Sequence, residues 1–328
     1  MSPLTRRQTA TALLGAAGTA FLPTGFARAQ AAPQIAPVPD TAHEETDDQS
    51  PTQVDTTASR NEHMVLPVSI NGQGPFRFMI DTGANVSCVS TRLAEQLELA
   101  AASPAKVHTV VGVRSRPRVV IPHLEIGGRV RRTVRAPALS FRGVDIDGVL
   151  GVDWLRGQRL VLDFKGQNLE ITRSREEPAE EGRVIVPARR RSGQLTIVDA
   201  DMRGKRISAM IDSGSQVTVC NAAMRRLVAN EQPSAEDLLQ RVRLEAITGE
   251  AFWGEMLYLP FVRLGGLQLG NVPVVHADLH VFDLWDLNRA PTLVIGMDLL
   301  TQFNAVALDY GRSVVRFDIS EDSPPVVA

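Results

Sequence analysis

One stretch of this chain occurs twice, and that constrains the fold more than any bulk property. Phe78-Met79-Ile80 leads into Asp81-Thr82-Gly83-Ala84, and 131 residues later Met210-Ile211 leads into Asp212-Ser213-Gly214-Ser215. The likeness continues beyond the tripeptides. Leu124-Glu125-Ile126-Gly127-Gly128, Val149-Leu150-Gly151 and Leu162-Asp163-Phe164 in the first half correspond to Val262-Arg263-Leu264-Gly265-Gly266, Val294-Ile295-Gly296 and Leu308-Asp309-Tyr310 in the second. From each leading Asp to the apolar-apolar-Gly landmark the gaps are 70 and 84 residues, and from that Gly to the later Asp they are 12 and 13. Matching order and spacing identify one unit, duplicated. Two copies imply two half-sites.

Each half is built from short Val- and Ile-rich runs broken by Gly, Pro and charged turns, a strand pattern. Ser90 and Asn221 read as N-caps of short helices, and Asp153 and Asp298 as N-caps of another helix in each half. An Asp in a tight turn between strands, with Gly two residues on, has its carboxylate fixed near a strand end, because Gly permits a close approach that a Cβ would block.

Around the duplicated core the composition shifts. Residues 1–29 read as an export signal: Arg6-Arg7, a mildly apolar run from Thr9 to Leu22, then Ala27-Arg28-Ala29 as a cleavage pattern, by either the twin-Arg or the general secretory route. The apolar run is too short to span roughly 30 Å of hydrocarbon, so no stable membrane anchor is expected after processing. Residues 30–62, with four prolines and six acids by Asp55, read as a disordered linker. The expected division is then 63–172 for the first lobe, 173–183 for an inter-lobe linker, 184–319 for the second lobe and 320–328 for a tail. The formal net charge of -2, or -5 once Arg6, Arg7 and Arg28 are removed, is no footprint for nucleic acid.

These landmarks resemble those of the retropepsin-like aspartic proteases, here with two lobes fused in one chain. The carriers are Ile80-Asp81-Thr82-Gly83-Ala84, Ile211-Asp212-Ser213-Gly214-Ser215, Val149-Leu150-Gly151 and Val294-Ile295-Gly296. The first half has no Tyr where a pepsin-type flap carries one. The resemblance implies a mostly β fold of two pseudo-symmetric barrel lobes, each with one or two short helices, and an active site between them. It implies an endopeptidase in which Asp81 and Asp212 activate a water, with Thr82, Gly83, Ser213 and Gly214 supporting the dyad. Gly151 and Gly296 are structural. Ala84, Asn85, Ser215 and Gln216 sit where such enzymes contact the substrate main chain, and Ser215 is a candidate for an added hydrogen bond that lowers the dyad's apparent pKa. Gly112 and Gly249 are candidate flap tips, with Phe252 and Trp253 either lining a subsite or packing. Exported members of this group suit a periplasmic location, with cleavage near Ala29.

The expected partner is an extended peptide or protein substrate in the envelope, bound as an added strand by a monomer. No cofactor and no metal are expected. His276, Asp278 and His280 alternate as a strand-borne metal trio would, but no further ligand is indicated. Ile211 stands where a serine protease with an Asp-Ser-Gly sequence carries Gly. Cys88 and Cys220, seven and eight residues past their Asp, fall on opposite faces of equivalent strands and read as two buried thiols. Two alternatives remain: a catalytically weak peptide-binding or regulatory module of the same fold, and lobes that pair with those of another chain.

Overall fold

A computed structural model describes residues 34–35, 51–58, 63–178, 180–191, 193–197, 199–231 and 239–319. The export signal and the tail lie outside the described residues. The fold is mostly β, in two pseudo-symmetric barrel-like lobes with short helices.

Each lobe is assembled by the same steps. In the first, strands Met64–Ile70 and Gln73–Ile80 form a hairpin that ends at Asp81. Cys88–Ser90 follows, then the helix Thr91–Gln96, the long hairpin Ala100–Thr109 and Gly112–Ile126, and Arg129–Leu139. Gly148–Leu150 then returns to lie parallel to Gln73–Ile80 and antiparallel to Cys88–Ser90. In the second lobe Thr292–Ile295 makes the same return, parallel to Ser208–Ile211 and antiparallel to Val219–Cys220. Its helix Ala222–Glu231 and its long hairpin, Gln240–Glu245 and Ala251–Leu264, occupy the corresponding places. Both returning strands are fully buried and, Thr292 apart, apolar, as a strand paired on both sides inside a lobe requires.

Two of the four expected helix caps are made. Ser90 Oγ accepts the Leu93 amide at 3.0 Å, and Asn221 Oδ1 accepts the Met224 amide at 2.8 Å. Asp153 and Asp298 are not caps: Gly151 and Gly296 hold those positions without side-chain capping bonds, and the two carboxylates serve the loops described below.

Beneath the lobes lies a six-stranded antiparallel sheet to which both halves contribute. Its order is Thr52–Asp55, Asn168–Arg173, Gln158–Asp163, Ala305–Asp309, Val314–Asp318 and Arg183–Arg191. The halves meet between Gln158–Asp163 and Ala305–Asp309, where Leu160 faces Leu308 and Leu162 faces Val306. All four are buried, and each contributes about 1.5–3 kcal/mol by leaving water.

This sheet corrects the expected linker. Thr52–Asp55 is its outermost strand, and Thr57–Ala58 pairs with Met64–Ile70. Thr52, Val54 and Thr56 alternate inward with a strand's period of two. The first lobe therefore includes Thr52–Asp55, in the position that Arg183–Arg191 fills for the second. Between the halves, Glu177 is gripped by two nearly buried guanidiniums, those of Arg159 and Arg316, the latter at 2.6 Å, so the connection is pinned to the sheet.

Candidate active site

The returning strands hold the two Asp loops from behind. Asp81 donates its amide to the Leu150 carbonyl at 2.9 Å, and Asp212 donates to the Ile295 carbonyl at the same distance. Directly after those strands, Gly151 and Gly296 pass so close to the loops that a Cβ would lie 2.6 Å from the Ala84 carbonyl oxygen and 2.6 Å from the Val217 backbone. Gly is required there by space, not by φ.

The two loops meet tip to tip. A Cβ on Gly83 would lie 2.5 Å from an Asp212 carboxylate oxygen, and one on Gly214 would lie 2.3 Å from the Asp81 carboxyl carbon. Each glycine thus abuts the other lobe's carboxylate. Asp81 Oδ1 accepts the amides of Gly83 and Ala84 at 2.7 and 3.0 Å, and Asp212 Oδ1 accepts that of Gly214 at 2.9 Å. Below them, Thr82 and Ser213 cross-bond. The Thr82 amide donates to Ser213 Oγ at 3.1 Å and the Ser213 amide to Thr82 Oγ1 at 3.0 Å. Each hydroxyl then donates to the carbonyl before the opposite Asp, Thr82 to Ile211 at 2.9 Å and Ser213 to Ile80 at 3.0 Å. A Thr and a Ser serve equally because only the hydroxyl is used.

Asp81 is 0% and Asp212 4% exposed. Burial raises both carboxyls above the ordinary carboxylate range. At Asp81 the charge of Asp212 adds to the rise, while loop amides oppose it at both. Two such groups cannot both ionise cheaply, so the pair favours a state in which one proton is shared.

A second layer secures the loops. Asp153 Oδ1 accepts the Ser87 amide and hydroxyl at 3.1 and 2.8 Å, and Ser87 Oγ accepts the Gly151 amide at 3.1 Å. Asp298, Thr218 and Gly296 repeat the arrangement, with Asp298 pushed up to about 6 by burial. Two further residues reach across the lobes. Gln194 Nε2 donates to the Gly83 carbonyl at 3.0 Å and to Asn85 Oδ1 at 2.7 Å. His63 Nδ1 lies 3.3 Å from the Ser213 carbonyl, which can only accept, so that nitrogen carries the hydrogen. Burial pushes His63 down to about 4. None of these four, Ser87, Thr218, His63 and Gln194, stood out in the sequence, yet the 131-residue offset relates Ser87 to Thr218 and His63 to Gln194.

Other expected site residues fall as follows. Asn85 is engaged by Gln194. The Gln216 carbonyl accepts the Asp298 amide at 3.0 Å. Ser215 directs its hydroxyl to the Val217 carbonyl at 2.8 Å and presents only its backbone to Asp212, so the expected side-chain effect on the dyad is corrected. Ala84 is buried in the first lobe. Cys88 and Cys220 are free and buried, their thiols pushed up by desolvation. No group of three metal-binding side chains exists among the described residues. His276 instead neighbours Glu255 and Asp278, at 3.5 and 3.7 Å.

Gly112 and Gly249, with φ of 151° and 91°, stand at the tips of the two long hairpins. Each tip is docked on the opposite lobe. Val110 is buried among Met210, Phe282 and Trp285, and its carbonyl accepts the His280 amide at 2.8 Å. Ile247 is buried among Ala84, Val107 and Leu139, and its carbonyl accepts the Arg142 amide at 2.7 Å. Phe252 packs beside the second tip, whereas Trp253, 56% exposed, lies under the Arg241 guanidinium.

Two barrel-like lobes, with paired Asp loops cross-bonded on the axis between them, form the arrangement that the resemblance to retropepsin-like aspartyl proteases implies. The particular match is in the first lobe, where residues 66–154 fit the model of a family described as aspartyl protease. No curated protein matches the chain.

Proposed function

We propose that this protein is an aspartic endopeptidase that hydrolyses peptide bonds of protein or peptide substrates in the cell envelope through Asp81 and Asp212. The observation that carries the reading is the reciprocal seating of Gly83 and Gly214 against the opposite carboxylates, which puts two desolvated acids at one point. In the reaction, the ionised member of the pair takes a proton from a water lodged between them, and the resulting hydroxide adds to the scissile carbonyl. The protonated member gives its proton to the developing oxyanion. Collapse of the tetrahedral species breaks the C–N bond as the Asp that took the water's proton gives it to the amine nitrogen. The other Asp takes the proton of a diol hydroxyl, which restores the singly protonated pair. The substrate lies extended beneath the two hairpins, and one chain suffices for one site.

Export and cleavage near Ala29 complete this reading, placing the mature chain in the periplasm. No helix among the described residues is long and apolar enough to cross a membrane. The test is cleavage of a mixed peptide library by the chain from Gln30 onward between about pH 4 and 7, beside Asp81→Asn and Asp212→Asn. Each substitution should lower the rate by at least about 10²–10⁴-fold, the usual contribution of acid–base catalysis. Correct folding with no cleavage of any peptide would instead favour a peptide-binding or regulatory module.

A further inference from the structure

The dyad is buried and both hairpin tips are docked across the lobes, but the two dockings differ chemically. Beside the first tip, His108 of the hairpin and His280 of the opposite lobe bring Nδ1 and Nε2 to 2.9 Å. Their ring centroids are 5.2 Å apart and their planes only 14° apart. The nitrogen separation plus the two centroid-to-nitrogen lengths accounts for that spacing, so the rings meet end to end. One hydrogen fits between the facing nitrogens. A neutral pair, or a pair carrying one extra proton on a far nitrogen, keeps this N–H···N bond. A doubly protonated pair sets two N–H groups and two positive charges against each other. The second tip has no such pair; it is held by the Arg142 amide and by Arg116, 3.7 Å from Glu250.

We propose that His108 and His280 form an acid-released latch, which holds the first hairpin over the Asp81/Asp212 site near neutral pH and frees it when both rings are protonated. The latch rests on the peptidase reading only for what it admits, a peptide substrate. Burial, His280 and Lys106, in that order, push His108 below the ordinary imidazole range. The docked form therefore binds fewer protons than the undocked one. Docking is favoured above that range, near about 6.5, and is lost as pH falls through it. The other charged groups near the tip of this hairpin are Lys106, Arg114 and Arg116, the last paired with Glu250 of the second tip, and those of the wall are Asp278 and Asp283. Lys106 opposes protonation of His108. Of the acids, Asp278 is largely exposed beside His276, and Asp283 accepts a hydrogen bond from Asn288.

Hydrogen exchange of the hairpin tip around residues 107–115, corrected for intrinsic rate and followed between about pH 7.5 and 5, tests the latch. Exchange should speed up by about tenfold per unit below the ordinary imidazole range, the slope set by one extra proton. Strand Ala305–Asp309 should not change, which establishes that the fold persists. His108→Gln and His280→Gln keep a hydrogen-bonding partner that does not titrate, and each should flatten the response. Equal tip protection at both ends of the range in the unsubstituted protein would overturn the latch, whether or not the variants fold, and so would an undiminished response in both variants. Peptide cleavage measured in the same samples separates the two ideas, because a tip that loosens in acid on a protein that cleaves nothing retains the latch and refutes the peptidase.

Discussion

Thr82 and Ser213 each use one hydroxyl twice, accepting an amide from the other loop and donating to the carbonyl before the opposite aspartate. Thr82→Val keeps the shape and removes both functions, leaving the Ser213 amide and the Ile211 carbonyl buried without those bonds. At about 1–3 kcal/mol for each such group, unfolding in urea should show a loss of roughly 2–6 kcal/mol, with Thr82→Ser near neutral. His63 gives a pH signature of its own. Its folded-state pKa is depressed to about 4, so its contribution is complete above the ordinary value of 6.5 and is lost as pH falls from there toward 4. At about 1.4 kcal/mol per unit this amounts to about 3 kcal/mol, and His63→Gln should lose correspondingly less stability over that interval in pH-dependent denaturation.

At the scale of elements, the connection between the lobes is held by charge. Glu177 lies between the Arg159 and Arg316 guanidiniums, whose side chains are 7% and 6% exposed. Glu177→Gln leaves the buried Arg159 guanidinium without its carboxylate while Arg316 keeps that of Asp318, and a loss of up to about 3–5 kcal/mol is expected in chemical denaturation. What the sequence disclosed about elements was what is local and repeated. The Asp turns, the glycines behind them and the caps Ser90 and Asn221 carry their reasons in their immediate neighbours. Thr52–Asp55 was misread because its inward residues are only one threonine and one valine, set among acids and prolines, and its burial comes from pairing with Asn168–Arg173, far along the chain. The offset that relates the Asp loops, applied to Arg183–Arg191, would have found it. Asp153 and Asp298 were misread as caps because a carboxylate at a helix start has that local explanation, while Ser87 and Thr218, their partners, are distant. His108 and His280 belong to different lobes and share no period, so their meeting was invisible before the fold.

For the whole molecule, two lobes are joined by one shared sheet. A chain starting at residue 63 lacks the edge strand Thr52–Asp55, with buried Thr52 and Val54 and the pairing to Asn168–Arg173. Relative to one starting at residue 51, urea unfolding should show a loss of about 2–4 kcal/mol, the scale of one or two buried apolar side chains and their strand hydrogen bonds. The seam between Gln158–Asp163 and Ala305–Asp309 has a further consequence. Were the chain severed between residues 173 and 183, each fragment would carry a bare strand whose unmet amides and carbonyls fit its sister's, and fit a duplicate of itself nearly as well. Tethering sets the contest between those outcomes: the sister strand is always at hand, a stranger's only by collision, so the join between the halves works as a choice of mate.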